Sequence, residues 1–272
     1  MRAQIPTRAL AYPQYGGDFR AESDACRRLL QPLVELAGRT PDLIAGSVGV
    51  VKVGRKEYRI PRFIFLGPKG GGDTIRLGLF ATFHGDEPEG GAALVRFFQE
   101  LERAPQAAQG FHIYAYPVCN PAGLAVGRAE NAGGSDLTQE FWRVSSQNEV
   151  YYLEREMGVH QFQGVVSLHT VRNSLRFAGA CRSPVLEKSL LQPALEATHR
   201  FLPGRALTGE QPDERIPAGF LTLTDELHPA PFEINLGIPR ELPDPSRNFG
   251  TIAALNSLLL AYRWVKAFGQ NL

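Results

Sequence analysis

An excess of charge of either sign is missing from this chain. Its 272 residues carry 29 Lys and Arg against 28 Asp and Glu, a formal net charge of +1. Proteins that neutralise a phosphate backbone need a surplus of cations, so nucleic acid is not an expected partner. Cysteine is scarce: Cys26, Cys119 and Cys181 are odd in number, far apart and without a CxxC pair. That excludes a disulfide framework and a cysteine-ligated zinc cluster, and it fits a reducing compartment. Long apolar runs are missing too. None approaches the ~18 residues of a membrane helix, and the N-terminal MRAQIPTRALAYPQYGG lacks the apolar core of about 7 to 15 residues that a secretory leader needs. The expectation is a cytoplasmic protein without membrane contact. Repeats, low-complexity tracts and a linker-like composition shift are likewise missing, and the length suits one large α/β unit, so residues 1–272 are read as a single domain.

What is present is an ordinary globular composition, 43% hydrophobic and 21% charged, with apolar runs alternating with amphipathic ones. A helix is expected over 22–37, closed by Gly38 and kinked or broken at Pro32. Segments 47–53 and 57–66, rich in Val, Ile, Phe and Tyr around Gly54-Arg55, read as a hairpin. Segments 75–83, 111–118, 164–168 and 232–236 read as interior strands. Helices are expected over 88–103, where Leu94, Phe97, Phe98 and Leu101 form one face, and over 183–201 and 248–268. Strands alternating with helices imply a three-layer α/β/α sandwich around a mixed, largely parallel sheet. In such sheets ligands gather beyond the carboxyl ends of the strands.

Polar residues stand at those ends. LGLFATF runs into His84-Gly85-Asp86-Glu87, FHIYAYPV into Cys119-Asn120-Pro121, and GVVSL into His169-Thr170, while Glu233 sits inside the last strand. Two histidines and a glutamate supply the N and O donors of a catalytic zinc, which takes three protein ligands and keeps a fourth position open. Spacing His84 and Glu87 as HxxE lets one turn present both side chains to one ion. A buried carboxylate is costly unless it is paired or used, which singles out Glu233 as functional, with a salt bridge as the plainer alternative. Read alone, His84 would be a strand-end histidine bonded to backbone, and Cys119 a buried small hydrophobe. His112, His160, His199 and His228 read as surface or satisfied core residues. GPKGGGDT lacks the lysine of a phosphate-binding loop and reads as a turn.

These motifs, spread over most of the chain, resemble the zinc carboxypeptidase superfamily, which includes succinylglutamate desuccinylase and aspartoacylase. The resemblance implies one zinc per chain held by His84, Glu87 and His169, with Glu233 as the general acid-base residue and Arg128 as the oxyanion-stabilising cation. It also implies a substrate pocket that includes Asn120, and it extends to the upstream SVGVVKVGRKEYRIPRFIFLG. The sequence departs from the family at Asp136-Leu137-Thr138-Gln139-Glu140-Phe141, where relatives carry Asn and Arg in place of Thr138 and Gln139. Glutamine has neither the permanent charge nor the planar fork with which arginine grips a carboxylate. Arg143, Arg172 and Arg176 are the substitutes to consider. The 39 residues after Glu233 leave no room for the extra C-terminal β domain of the aspartoacylase branch.

The expected activity is therefore zinc-dependent hydrolysis of an amide bond in a small peptide. The alternatives are an N-acyl amino acid deacylase and a catalytically impaired metal-binding module. Asp86, Glu89 and His228 leave room for a second metal, and the oligomeric state is not legible.

Overall fold

The computed structural model describes residues 23–203, 216, 219–222, 227–228 and 230–268; the N-terminal stretch read for a leader lies outside them. Helix α1 (Asp24–Ala37) is capped by the Ser23 hydroxyl, which accepts from Cys26 N at 3.3 Å. Cys26, Leu30, Leu33 and Leu36 recur every three or four residues and are buried. Pro32 lies inside this helix without ending it, contrary to the expected break. Burying three leucines at about 1.5 to 3 kcal/mol each outweighs the ~3 kcal/mol that an interior proline costs.

Strands β1 (Leu43–Val53) and β2 (Lys56–Leu66) form the hairpin around Gly54, whose φ of 60° is the left-handed conformation a two-residue turn requires. There follow β3 (Ile75–Ala81), α2 (Glu89–Arg103), β4 (Phe111–Tyr116), α3 (Pro121–Val126), α4 (Asn148–His160), β5 (Gly164–Val171) and β6 (Ala178–Cys181). The helix expected over 183–201 is divided into α5 (Pro184–Leu186), a turn of π-helix (Glu187–Leu191) and α6 (Gln192–Thr198). Strand β7 (Phe232–Pro239) and α7 (Asp244–Phe268) complete the chain, α7 starting four residues before the expected 248.

The sheet has seven strands in the order β1-β2-β4-β3-β5-β7-β6. The central β4, β3, β5 and β7 are parallel, while β1, β2 and β6 join antiparallel at the two sides. Alternation along each strand splits the core in two. Leu77 and Leu79 face α1, α2 and α7, with Leu33, Phe97 and Leu258 packed there. Phe80 and Tyr116 face the other way, toward Leu153 and Met157 of α4. The result is an α/β/α sandwich. After β3 the chain goes first to β4 on one side and later to β5 on the other, so a topological switch point lies between β3 and β5. Among the described residues, no helix is long and apolar enough to cross a membrane.

Candidate functional site

A crevice opens at such a switch point, outside the carboxyl ends of the strands, and the structure places His84 and Glu87 there after β3, with His169 near the end of β5. The exit from β3 is strained. Thr82 has φ 56°, a rare conformation for a β-branched residue and of the kind that accumulates at functional sites. Asn120, fully buried, holds this exit in place. Its backbone N donates to Thr82 O at 2.9 Å, and its side-chain amide donates to Phe83 O and Ala129 O, each at 3.1 Å. Its Oδ1 caps α3 by accepting from Gly123 N at 2.9 Å. Asn120 is thus a brace for the His84 turn rather than a group open to a substrate.

His84 lies between two carboxylates. Its Nδ1 is 3.4 Å from Glu87 Oε2, and its Nε2 donates to Asp136 Oδ1 at 3.0 Å. Asp136 Oδ1 also accepts from Thr138 N at 2.9 Å and from Thr138 Oγ1 at 2.8 Å. Thr138 therefore steadies the partner of His84, while Gln139 is exposed beside it. The bonds to Asp136 and then Glu87 push His84 up to about 10 against the opposing effect of burial. The same bond from His84 takes Asp136 down to about 2. Burial pushes Glu87 up, but the bond from His84 and the Thr170 backbone amide, 3.4 Å from its Oε2, leave it below the usual glutamate range.

His169 stacks on Phe83, with ring centroids 5.8 Å apart, and meets the edge of Phe220 at 5.4 Å. Its Nε2 is 3.0 Å from Ser167 Oγ, which in turn bonds Asn235 Oδ1. Burial pushes His169 down to about 4, so it is neutral at neutral pH, the form that donates to a metal.

The other expected residues are dispersed. Glu233 pairs with Val165 in the β5–β7 register, four residues before His169 and so set back ~13 Å along the strand. Its Oε1 accepts from Phe220 N and Leu221 N at 2.8 and 3.0 Å, and its Oε2 from Thr222 N and Oγ1 at 3.0 and 2.6 Å. All four lone-pair positions of the carboxylate are thereby occupied, and the salt bridge considered for it is replaced by a clamp on segment 220–222. Arg128 is exposed after α3. Arg172 bonds Asp86 Oδ2 at 2.7 Å and Glu87 Oε1 at 3.5 Å, whereas Arg176 lines a separate cavity with Gln192 and His199. Of the residues considered for a second metal, Asp86 is held by Arg172 and Glu89 by Arg240 at 2.8 Å. His228 lines a cavity of about 250 Å³ with Met157 and Phe162. Burial pushes the Cys119 thiol far up, in keeping with an inert core cysteine.

Sequence reasoning missed Asp136 as the partner of His84, and it missed Ser167 and Asn235. The available signal for Ser167 and Asn235 was a polar residue set between apolar neighbours, Val166 and Leu168 on β5 and Ile234 and Leu236 on β7.

The sequence leads to the expectation of a zinc ion, and the donor set can be tested against one. Among the described residues no three His, Cys, Asp or Glu side chains form a closed metal-binding group. The chemistry of the set nevertheless fits. The 3.4 Å between His84 Nδ1 and Glu87 Oε2 matches the ligand-to-ligand edge of a tetrahedron with bonds of ~2.1 Å. His84 Nε2 is given to a carboxylate, the usual outer partner of a metal-bound histidine. His169 is neutral on the adjacent strand.

No protein-family model matches the chain, and no curated protein matches it in sequence. Solved structures share its fold. A protein named as a metallopeptidase from Shewanella amazonensis is 18% identical at a TM-score of 0.65, covering 86% of this chain and 92% of that one. A metallo-carboxypeptidase from Pseudomonas aeruginosa, in complex with (2-guanidinoethylmercapto)succinic acid, is 18% identical at a TM-score of 0.66, covering 87% and 69%. The ectoine utilization protein EutE from Ruegeria pomeroyi is 16% identical at a TM-score of 0.56, covering 81% and 67%. The chain therefore has the fold of the metallo-carboxypeptidases.

Proposed function

We propose that the chain is a zinc-dependent hydrolase that cleaves an amide bond in a small peptide or an N-acyl amino acid. The observation that carries this reading is the His84 pair of contacts: Nδ1 at 3.4 Å from Glu87 Oε2, with Nε2 engaged by Asp136. His84, Glu87 and His169 would hold the metal. When bound, zinc lowers the pKa of a water toward ~7 and polarises the scissile carbonyl. Asp136 and Thr138 keep the His84 ring in place, Asn120 fixes the turn that carries it, and the Phe83 and Phe220 rings hold the plane of His169. Arg128, exposed beside the His84 turn, is the cation assigned to the oxyanion. With Gln139 where relatives carry a carboxylate-gripping arginine, free carboxylates should not be strongly preferred over blocked substrates. The neighbours named as metallo-carboxypeptidases, and EutE with its part in ectoine utilization, support hydrolysis at the level of fold.

A second reading, a metal-binding module without hydrolysis, is favoured by Glu233, whose carboxylate is fully engaged with segment 220–222. Metal analysis joined to a panel of N-acyl amino acids and of free and amidated dipeptides separates the two. Hydrolysis predicts about one zinc per chain, lost in His84→Ala and His169→Ala with the fold retained, and turnover of at least one substrate class. Zinc without turnover selects the module. A chain that takes up no zinc refutes both. Glu233→Gln decides the role of that residue: a loss of ~10² to 10⁴ in rate with unchanged stability marks proton transfer, and lowered stability with a smaller rate loss marks the clamp.

A further inference from the structure

Ser167 precedes His169 by two residues on β5, so strand alternation puts both side chains on one face. The β5–β7 register sets Asn235 directly beside Ser167. Ser167 and Asn235 are both 0% exposed, each between two apolar chain neighbours, Val166 and Leu168 for the one and Ile234 and Leu236 for the other. A serine hydroxyl has one proton to give. Ser167 gives it to Asn235 Oδ1, taken as the amide's accepting atom, and Ser167 Oγ is then an acceptor toward His169 Nε2 at 3.0 Å. The imidazole must place its proton on Nε2 and its lone pair on Nδ1.

We propose that Ser167 and Asn235 are positioning residues that lock His169 in the Nε2–H tautomer, making Nδ1 its metal-donating atom; this rests on the zinc reading above. His84 has the same polarity, its Nε2 donating to Asp136 while Nδ1 faces Glu87. The two imidazoles are set alike by different chemistry, a carboxylate for His84 and a neutral hydroxyl–amide relay for His169. Phe83 and Phe220 fix the plane of the His169 ring, so the relay has to set only which nitrogen is protonated. With an apolar residue at 235, the Ser167 hydroxyl would turn to donate to Nε2 and drive the imidazole proton onto Nδ1, where it blocks the metal.

The experiment is nitrogen-15 imidazole spectroscopy of the chelator-treated chain at neutral pH, with the His169 signals assigned from His169→Gln. It is followed by competitive zinc titration of wild type, Asn235→Leu and Asn235→Asp, with folding checked by circular dichroism. We expect wild-type His169 as the Nε2–H tautomer. Asn235→Leu should shift it toward Nδ1–H and weaken zinc binding by about 10 to 100-fold. Asn235→Asp, which keeps an acceptor of the same shape, should restore both. Wild-type His169 protonated on Nδ1 overturns the proposal, as does a folded Asn235→Leu that binds zinc as wild type does. If Asn235→Leu fails to fold, the wild-type spectrum still decides. A wild-type chain with the Nε2–H tautomer but no zinc uptake supports the relay and sinks the zinc reading instead.

Discussion

His84 and Asp136 form one interaction seen from two sides, and its pH dependence can be worked out by sign. In chain stripped of metal by a chelator, His84 titrates at about 10 in place of 6.5, and Asp136 at about 2 in place of 3.8. A folded-state value raised above the unfolded one contributes stability that is complete below 6.5 and lost as pH climbs toward 10. The depressed Asp136 contributes stability present above 3.8 and lost as pH falls toward 2. His169, lowered from 6.5 to about 4 by burial, adds a further loss as pH falls through that interval. Metal-free protein should therefore lose thermal stability between neutral pH and pH ~10, and Asp136→Asn should flatten that decline because it removes the main partner of His84. Scanning calorimetry of both proteins across the interval checks this; parallel declines would reject the His84–Asp136 assignment.

At the scale of elements, the site depends on how closely the β3 exit packs on α3. A Cβ at Gly85 would lie 2.0 Å from the Gly123 carbonyl carbon and 2.2 Å from Leu124 N, both backbone atoms. No side-chain rotation relieves such a contact, so Gly85→Ala must push the His84 turn away from α3. Overpacking of this kind costs about 1 to 3 kcal/mol, and the shift should also separate His84 from Asp136. We expect Gly85→Ala to fold with a lower urea midpoint and weaker zinc binding. Unchanged zinc affinity would show that the turn moves as a unit. The same packing explains why Asn120 is fully buried: it ties together the two segments that Gly85 allows to touch.

At the scale of the whole molecule, α4 is joined to the sheet by a buried ionic cluster. Glu156 Oε2 accepts from Arg62 Nη1 of β2 at 2.9 Å and from the Tyr116 hydroxyl of β4 at 2.8 Å, and His160 Nε2 lies 3.3 Å away. The Arg62 and Glu156 side chains are 8% and 1% exposed. Removing one partner of a buried pair leaves the other charge uncompensated, at a cost of about 3 to 5 kcal/mol. Glu156→Leu should accordingly lower unfolding free energy by that amount in urea denaturation, with zinc content unchanged because β2, β4 and α4, which carry the cluster, hold none of the proposed zinc ligands. A loss below about 1 kcal/mol would mean that the cluster is dispensable. This cluster also accounts for the absence of α4 from the sequence expectations. Val150, Leu153 and Met157 have helical spacing, but Glu149 and Glu156 are buried with them, so the inward face does not read as an apolar stripe.

The sequence by itself determined the four central strands and put His84 and Glu87 on the turn that follows β3. A parallel strand covered on both faces must be a continuous apolar run, and a polar residue that ends such a run stands where α/β sheets build their sites; both signals are local. The approach of Asp136 to His84 across 52 positions was decided only by tertiary structure, as was the pairing of Ser167 with Asn235 across 68. Glu233 shows the difference most sharply. A carboxylate flanked by Phe232 and Ile234 looks the same in sequence whether it moves a proton or anchors a segment. The donors that the fold returns to it, the amides of 220–222, are visible only in the tertiary structure. Periodicity is a property of neighbours along the chain, whereas hydrogen-bond partners are set by strand register and loop closure between segments that the chain separates.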